Sequence, residues 1–416
     1  MPINPYQIKS MRPWNIIIFA ICFSLCSNLS VLAKSQKTKQ PDKFPPSPLE
    51  ITAPDPLLPR IPDKEPLTEA EKQALGIKLD ELNLEATAKF AAGDKITAFE
   101  IWNRELRLRR YLGVLAEIEA LSRVGAIAYQ DNERQQVQYI TQRLQAIQAQ
   151  TQSQQPGDLQ ILSALGKAYQ QVRSPQLAIP VYQQILTQVR QQQDTAAERE
   201  TLQTIANVHL GWFDYPQAAK TYEELLNLTK GEPSTQITYL EQLAYIYEQA
   251  KQPQDSVKIR QQLVEIYQQD SNLTSKLVGL KLAIGSDYEM LAKQQPDLIQ
   301  AAFKNYQESY TTAWQLQEYT RAGEALNKLI SLYRSTGQTD EALQTSQILL
   351  QTEELAANFY GLMTAYDQIG QIYVERKDYP QAINAFQKGL ELAKELKHEE
   401  QYFNQQIAKI APGANN

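Results

Sequence analysis

The residues able to do covalent or metal chemistry are few. The chain has two histidines, His209 and His398, far apart in sequence, and two cysteines, Cys22 and Cys26, both near its start. A zinc site takes about four closely spaced Cys, His or carboxylate ligands, so these residues cannot build the usual one. Gly166-Lys167 is followed by Ala168 rather than Ser or Thr, which rules it out as a phosphate-binding loop. No G-x-S-x-G nucleophile elbow occurs. The carboxylate pairs Glu223-Glu224 and Glu353-Glu354 are of a type that does general acid–base work, but they read as solvated helix faces. His209 falls in a slot otherwise filled by aromatics and reads as a packed structural residue. His398, among Lys and Glu, reads as solvated. No catalytic, cofactor-binding or metal-binding residue is assigned, and the chain is expected not to be an enzyme.

Charge offers one further candidate. Arg104, Arg107, Arg109 and Arg110 form the densest basic cluster, at the end of a helix closed by Gly113. Cations there complement the partial negative charge of a helix C-terminus. The alternative is a patch for an anionic partner, a lipid headgroup or an acidic protein tail. Across the 416 residues, 47 acids outweigh 41 bases for a net charge of −6, which argues against nucleic acid. With 43% hydrophobic residues the chain is too apolar to be wholly disordered, and its length suits several domains or one long array.

The elements that would position any site begin after an address label. Residues 1–33 read as a secretory signal peptide: Lys9 and Arg12, an apolar run from Ile16 to Leu25, and small or aliphatic residues before a cut after Ala33. Met11 is an alternative start. The run is short of the ~20 apolar residues of a spanning helix, although an uncleaved anchor is an alternative. Cleavage would remove both cysteines and leave 39 bases against 47 acids. Residues 34–67 then carry nine of the 21 prolines. Proline lacks an N–H and restricts its predecessor, so this stretch is expected to be a semi-rigid linker. A sharper reading notes Ile51, Leu57, Leu58 and Ile61 among those prolines and lays the segment along a groove of the same molecule. Deleting residues 34–62 should then raise ligand affinity.

Helical spacing starts at Thr68-Glu69-Ala70-Glu71, a capping box, and continues to about Ile410 without sustained period-2 alternation. One pattern recurs. A small residue is followed three places on by an aromatic, nine places later by Ala, and four beyond that by a second aromatic. Gly166, Tyr169, Ala178 and Tyr182 show it, as do Gly370, Tyr373, Ala382 and Phe386. Ala206, His209, Ala218 and Tyr222 repeat it, and Gly285, Tyr288, Ala302 and Tyr306 do so with five residues inserted. The small slots run 86, 125, 166, 206, 244, 285, 330 and 370, with spacings of 38 to 45. Two antiparallel helices approach closely only where small side chains meet, and the aromatics fill the wedge between hairpins. Asp214-Tyr215-Pro216 and Asp378-Tyr379-Pro380 put Pro at the first helical position, where its missing N–H is harmless.

This pattern resembles the tetratricopeptide repeat family in a long, roughly 40-residue variant, over about residues 79–396 in eight copies. The resemblance implies an all-α, right-handed superhelical solenoid of antiparallel hairpins. The array is set at residues 68–396, with a capping helix and tail at 397–416 that carry Tyr402, Phe403, Ile407 and Ile410. In that family the inner face, lined by the first helix of each hairpin, binds peptides or partner helices. Aligning the copies places Asn83, Lys167, Gln170, Gln203, Asn207, Glu241, Tyr245, Asn327, Ser331, Arg334, Asp367 and Gln371 there. Relatives that grip a C-terminal carboxylate use a repeated Lys/Asn clamp. Here Lys167 and Asn207 fit it and the other slots do not. The expectation is a protein-binding scaffold of an exported compartment, periplasm or thylakoid lumen, aiding assembly of a membrane-associated complex. It would take protein or peptide partners, no nucleic acid and no cofactor. Membrane contact would come only through partners or an uncleaved anchor. The alternative is a peptide sensor whose superhelix changes on binding.

Overall fold

The computed structural model describes residues 47–51, 53–59, 66–154 and 157–410. The expected signal peptide and most of the proline-rich stretch lie outside these residues. The chain divides into two units, Met1–Ala53 and Pro54–Asn416. In the first, the described residues form one 3-10 turn, Pro48–Glu50, in which the Ser47 hydroxyl accepts from the Leu49 amide at 3.2 Å.

The second unit is an all-α repeat solenoid; among the described residues there are seventeen α-helices and no strand. Eight hairpins follow in order: α1 (Glu69–Ala91) with α2 (Lys95–Arg109), α3 (Val114–Gln130) with α4 (Arg134–Gln154), α5 (Leu159–Gln171) with α6 (Pro175–Gln191), and α7 (Thr195–Gly211) with α8 (Tyr215–Asn227). Then come α9 (Pro233–Gln249) with α10 (Pro253–Gln269), α11 (Thr274–Ala292) with α12 (Ile299–Gln315), α13 (Tyr319–Ser335) with α14 (Thr339–Leu355), and α15 (Phe359–Glu375) with α16 (Tyr379–Leu396). A single helix, α17 (Glu400–Ile410), closes the array. Most helices pack chiefly on their neighbours in sequence, the quasi-one-dimensional order of a repeat protein, while α3 packs most on α5.

The local signals explain the boundaries. Thr68 and Glu71 form the capping box at the start of α1. Helices α8 and α16 begin at Tyr215 and Tyr379, so Pro216 and Pro380 hold the second helical position, one later than expected. The N–H of that position is also unbonded within a helix, so the shift costs nothing. Most hairpin turns end their first helix on a left-handed residue: Gly93, Asn132, Arg173, Phe213, Lys251, Gly337 and Lys377. The Ser174 amide then donates to the Tyr169 carbonyl at 2.9 Å and Asp214 to His209 at 2.9 Å, the pattern of a Schellman cap. The inserted residues of the sixth hairpin form the turn Pro296–Leu298.

The recurring small residue has a more specific role than close helix approach. A Cβ on Gly166 would lie 2.7 Å from the Tyr182 ring and one on Gly370 would lie 2.6 Å from the Phe386 ring. Gly285 meets Tyr306 in the same way. The aromatic of the second helix therefore sits over the glycine of its own hairpin, rather than in the wedge to the next. Ala178, Ala218, Ala302, Ala342 and Ala382 are fully buried as expected. At the far end Phe403 of α17 packs over Gly389 and 6.5 Å from the Phe386 ring, covering the last hairpin.

Candidate functional site

Most of the predicted groove residues are engaged by the array itself. Asn83 accepts from the Trp102 indole at 3.0 Å and from Arg123. Gln203 donates to the Tyr239 hydroxyl at 3.1 Å. Burial pushes the Glu241 carboxyl up, yet bonds from Lys276 at 2.8 Å and Tyr267 at 2.6 Å leave it below its ordinary range. Asn327 accepts from Gln368 at 2.8 Å. Arg334 donates to Gln371 at 3.3 Å, Gln371 to Asp367 at 2.7 Å, and Tyr402 to Asp367 at 2.8 Å. This chain ties the last two hairpins to α17, and burial raises the Asp367 carboxyl above its usual value. Lys167, Tyr245 and Ser331 are exposed.

Two predicted residues meet at an open cavity. Gln170 and Asn207 line a hollow of about 350 Å³ spanning the second, third and fourth hairpins at the ends of α3, α5 and α7. Its other walls are Ala126, Tyr129, Gln130, Gln171, Arg173, Ser174, Pro175, Val208, Gly211 and Trp212. Tyr129 and Trp212 are each 45% exposed, and the Arg173 guanidinium lies 5.6 Å from the centroid of the Tyr129 ring. Among the described residues no carboxylate lines the hollow. The amides of Gln130, Gln170, Gln171 and Asn207 make no side-chain bond among the described residues. The lining is more polar than apolar, with the apolar surface supplied chiefly by Tyr129, Pro175, Val208 and Trp212.

Tyr129, Arg173 and Trp212 were not among the residues expected there. Tyr129 lies four places after Gly125, the slot that Gln170 holds after Gly166, but its copy of the pattern is degenerate. Arg173 and Trp212 come from turns, beyond the helical positions that the alignment compares.

Two members of the arginine cluster are engaged with the chain's own acids. Arg104 holds Asp55 through two bonds of 2.8 Å, which keep the Asp55 carboxyl below its ordinary value. Arg109 bonds Asp80 at 2.6 Å and Glu105 at 3.0 Å. Burial lowers the Arg107 guanidinium. Arg110 opens the 3-10 turn Arg110–Leu112 that Gly113 ends. His209 is packed, 8% exposed, with its Nδ1 3.1 Å from Asp214. His398 is exposed, 5.7 Å from the Tyr360 ring. Among the described residues no group of His, Cys, Asp and Glu could hold a metal, and no helix is long and apolar enough to cross a membrane.

Residues 161–196 and 321–395 match models of the tetratricopeptide repeat family. No curated protein matches the chain. Among solved structures, BtubC (BKLC) from P. vanneervenii is 16% identical, with 54% of this chain and 92% of that chain covered at a TM-score of 0.37. MamA is 20% identical over 46% of this chain and 96% of its own, at a TM-score of 0.34. A signal transduction ATPase with a tetratricopeptide repeat sensor, from Pyrococcus horikoshii, is 13% identical over 82% of this chain and 52% of its own, at 0.39.

Proposed function

We propose that this chain is a non-enzymatic protein-binding scaffold of an exported compartment, periplasm or thylakoid lumen. Its role is to assemble or stabilise a membrane-associated complex. The observation that carries the binding role is the open hollow at Gln170 and Asn207. There, polar side chains without a side-chain bond among the described residues stand beside exposed aromatics. Most of the other groove positions are engaged in bonds between hairpins. A repeat array suits this task because its stability is spread over nearest-neighbour contacts, which leaves one continuous face for a partner. The export part rests on the N-terminal sequence, with its basic entry, apolar run and small-residue end.

Affinity capture tests this. Full-length chain is incubated with soluble and detergent-solubilised membrane fractions, beside a Gln170→Ala/Asn207→Ala variant. A partner held by the parent and lost on the variant is expected. Capture of the same proteins by both would overturn the groove as the binding face. Cleavage is tested separately, by N-terminal sequencing of the exported product. An N-terminus at Lys34 is expected, and one at Met1 or Met11 in a soluble cytosolic pool would remove the export claim.

A further inference from the structure

The groove reading leaves the chemistry of the ligand open, and the hollow itself narrows it. Arg173 makes no ion pair among the described residues, although most arginines around it do. It stands at the rim of a hollow with no acid in its walls among the described residues. An unpaired guanidinium in that setting recognises a carboxylate, which it can bind through two parallel bonds. Tyr129 and Trp212 on either side offer flat apolar surface, and Gln170, Gln171 and Asn207 offer the paired donors and acceptors that suit a peptide backbone.

A second observation is independent of the first. Phe213, next to Trp212, holds the left-handed turn position at φ 58° and is 75% exposed. The equivalent residues of the other left-handed hairpin turns are Gly, Asn, Arg or Lys, and those of the turns between hairpins include Gln193, Gln317 and Ala357, none of them aromatic. A bulky apolar residue there costs conformational energy and gains little from burial beyond an edge contact with Tyr215. Folding does not explain it; a surface that extends the Trp212 wall towards a partner does.

The chain also supplies an example of the contact. On the first hairpin, Asp55 of Pro54-Asp55-Pro56-Leu57-Leu58 is held by Arg104 through two 2.8 Å bonds, while Leu57 and Leu58 pack on Leu75, Leu79 and Leu108. An arginine beside apolar surface thus already takes an acidic–apolar segment on this scaffold, one turned so that the Leu58 amide donates to the Asp55 carbonyl at 3.0 Å. We propose that the hollow between the second and fourth hairpins docks a partner segment in which an internal Asp or Glu adjoins proline or aliphatic residues. Arg173 takes the carboxylate, Tyr129, Trp212 and Phe213 take the apolar flank, and the amides take the backbone. This rests on the groove reading above and specifies its ligand.

The test is selection of a displayed heptapeptide library, each peptide inserted with neither terminus free, on immobilised full-length chain. Enrichment of Asp or Glu next to Pro, Leu or Ile is expected. Affinity of a selected peptide should fall about 10-fold or more on Arg173→Asn and on Trp212→Ala, both exposed positions whose variants should melt with the parent. Arg173→Glu should shift selection towards Lys and Arg. Enrichment of peptides without an acid, or affinities that Arg173→Asn leaves within about 2-fold, would overturn the proposal. So would failure to enrich any peptide. If the capture experiment still yields a partner lost on Gln170→Ala/Asn207→Ala, only the ligand class falls. If it does not, the scaffold reading falls too.

Discussion

The Tyr182 ring occupies the space that a side chain on Gly166 would need, 2.7 Å from where its Cβ would be. The ring is buried, and that burial pushes its phenol up to about 12. The same relation holds between Phe386 and Gly370 at 2.6 Å. Each pair locks the two helices of one hairpin, so the glycine is there for absence of a side chain rather than for backbone freedom.

Gly166→Ala should therefore destabilise the third hairpin by ~1–3 kcal/mol, the cost of overpacking a tight core. Gly370→Ala should do the same in the eighth. In an array whose repeats contact only neighbours, the loss should be local, read as faster amide exchange in α5 and α6 before α13. Exchange unchanged throughout would mean that the ring moves aside at no cost. Combining Gly166→Ala with Tyr182→Leu should recover part of the loss.

Asp55 and Arg104 give a pH-dependent contribution. The pair lowers the Asp55 carboxyl below 3.8, so it stabilises the folded chain fully above that value. The contribution is lost as pH falls through the lowered folded value. Arg104 is 36% exposed, which screens the pair and limits it to ~1 kcal/mol. Asp55→Asn should destabilise the first hairpin by about that much at pH 7 and by nothing measurable near pH 2. Exchange rates in α1 and α2 at the two pH values check it. An equal effect at both would assign the loss to packing of Leu57 and Leu58.

How much of this could be read beforehand follows from what sequence spacing encodes. The period, the capping box at Thr68 and the covering helix at Phe403 were legible, because each depends on a fixed interval between residue types. Gly166 and Tyr182 were legible as slots, but which ring sits over which glycine depends on side-chain direction in three dimensions. The groove residues were legible as positions only. Gln371 and Asp367 are engaged by Tyr402, 31 and 35 residues on, and Arg334 by Gln371 and Glu375, 37 and 41 residues on. Arg173 and Trp212 lie at turns, where repeats diverge and alignment by helical slot says nothing. The docking of Asp55 on Arg104 spans 49 residues and has no local signature.

Glu353 predicts the opposite pH trend. Its carboxyl is buried, touches Gly323 and Gly361, and accepts one bond from Asn358 at 2.7 Å. No cation pairs with it among the described residues. Burial raises its folded value above 4.5, with Glu324 adding repulsion. The folded chain then binds the proton more tightly than the unfolded one, so stability falls as pH rises from the ordinary value through the raised one. Glu353→Gln keeps an acceptor for Asn358 and removes that loss, so it should be neutral near pH 4 and stabilising by ~1 kcal/mol at pH 7. Denaturation at both values decides. A destabilised variant at pH 7 would show that the ionised carboxylate is satisfied in place.

Phe213 separates stability from binding. Its left-handed φ of 58° and 75% exposure mean that the side chain costs conformational energy and returns little through burial. Asn tolerates this conformation better, as Asn132 does at the equivalent turn. Phe213→Asn should stabilise the fourth hairpin by up to ~1 kcal/mol, since nothing packed is removed except an edge contact with Tyr215 at 6.3 Å. If the aromatic lip serves a partner, the same change should weaken capture severalfold while the melting temperature rises. Residues at a binding surface are commonly kept at such a cost to stability. A variant that is both less stable and equally competent would place Phe213 in the fold rather than in the site, leaving Trp212 to form the aromatic wall alone.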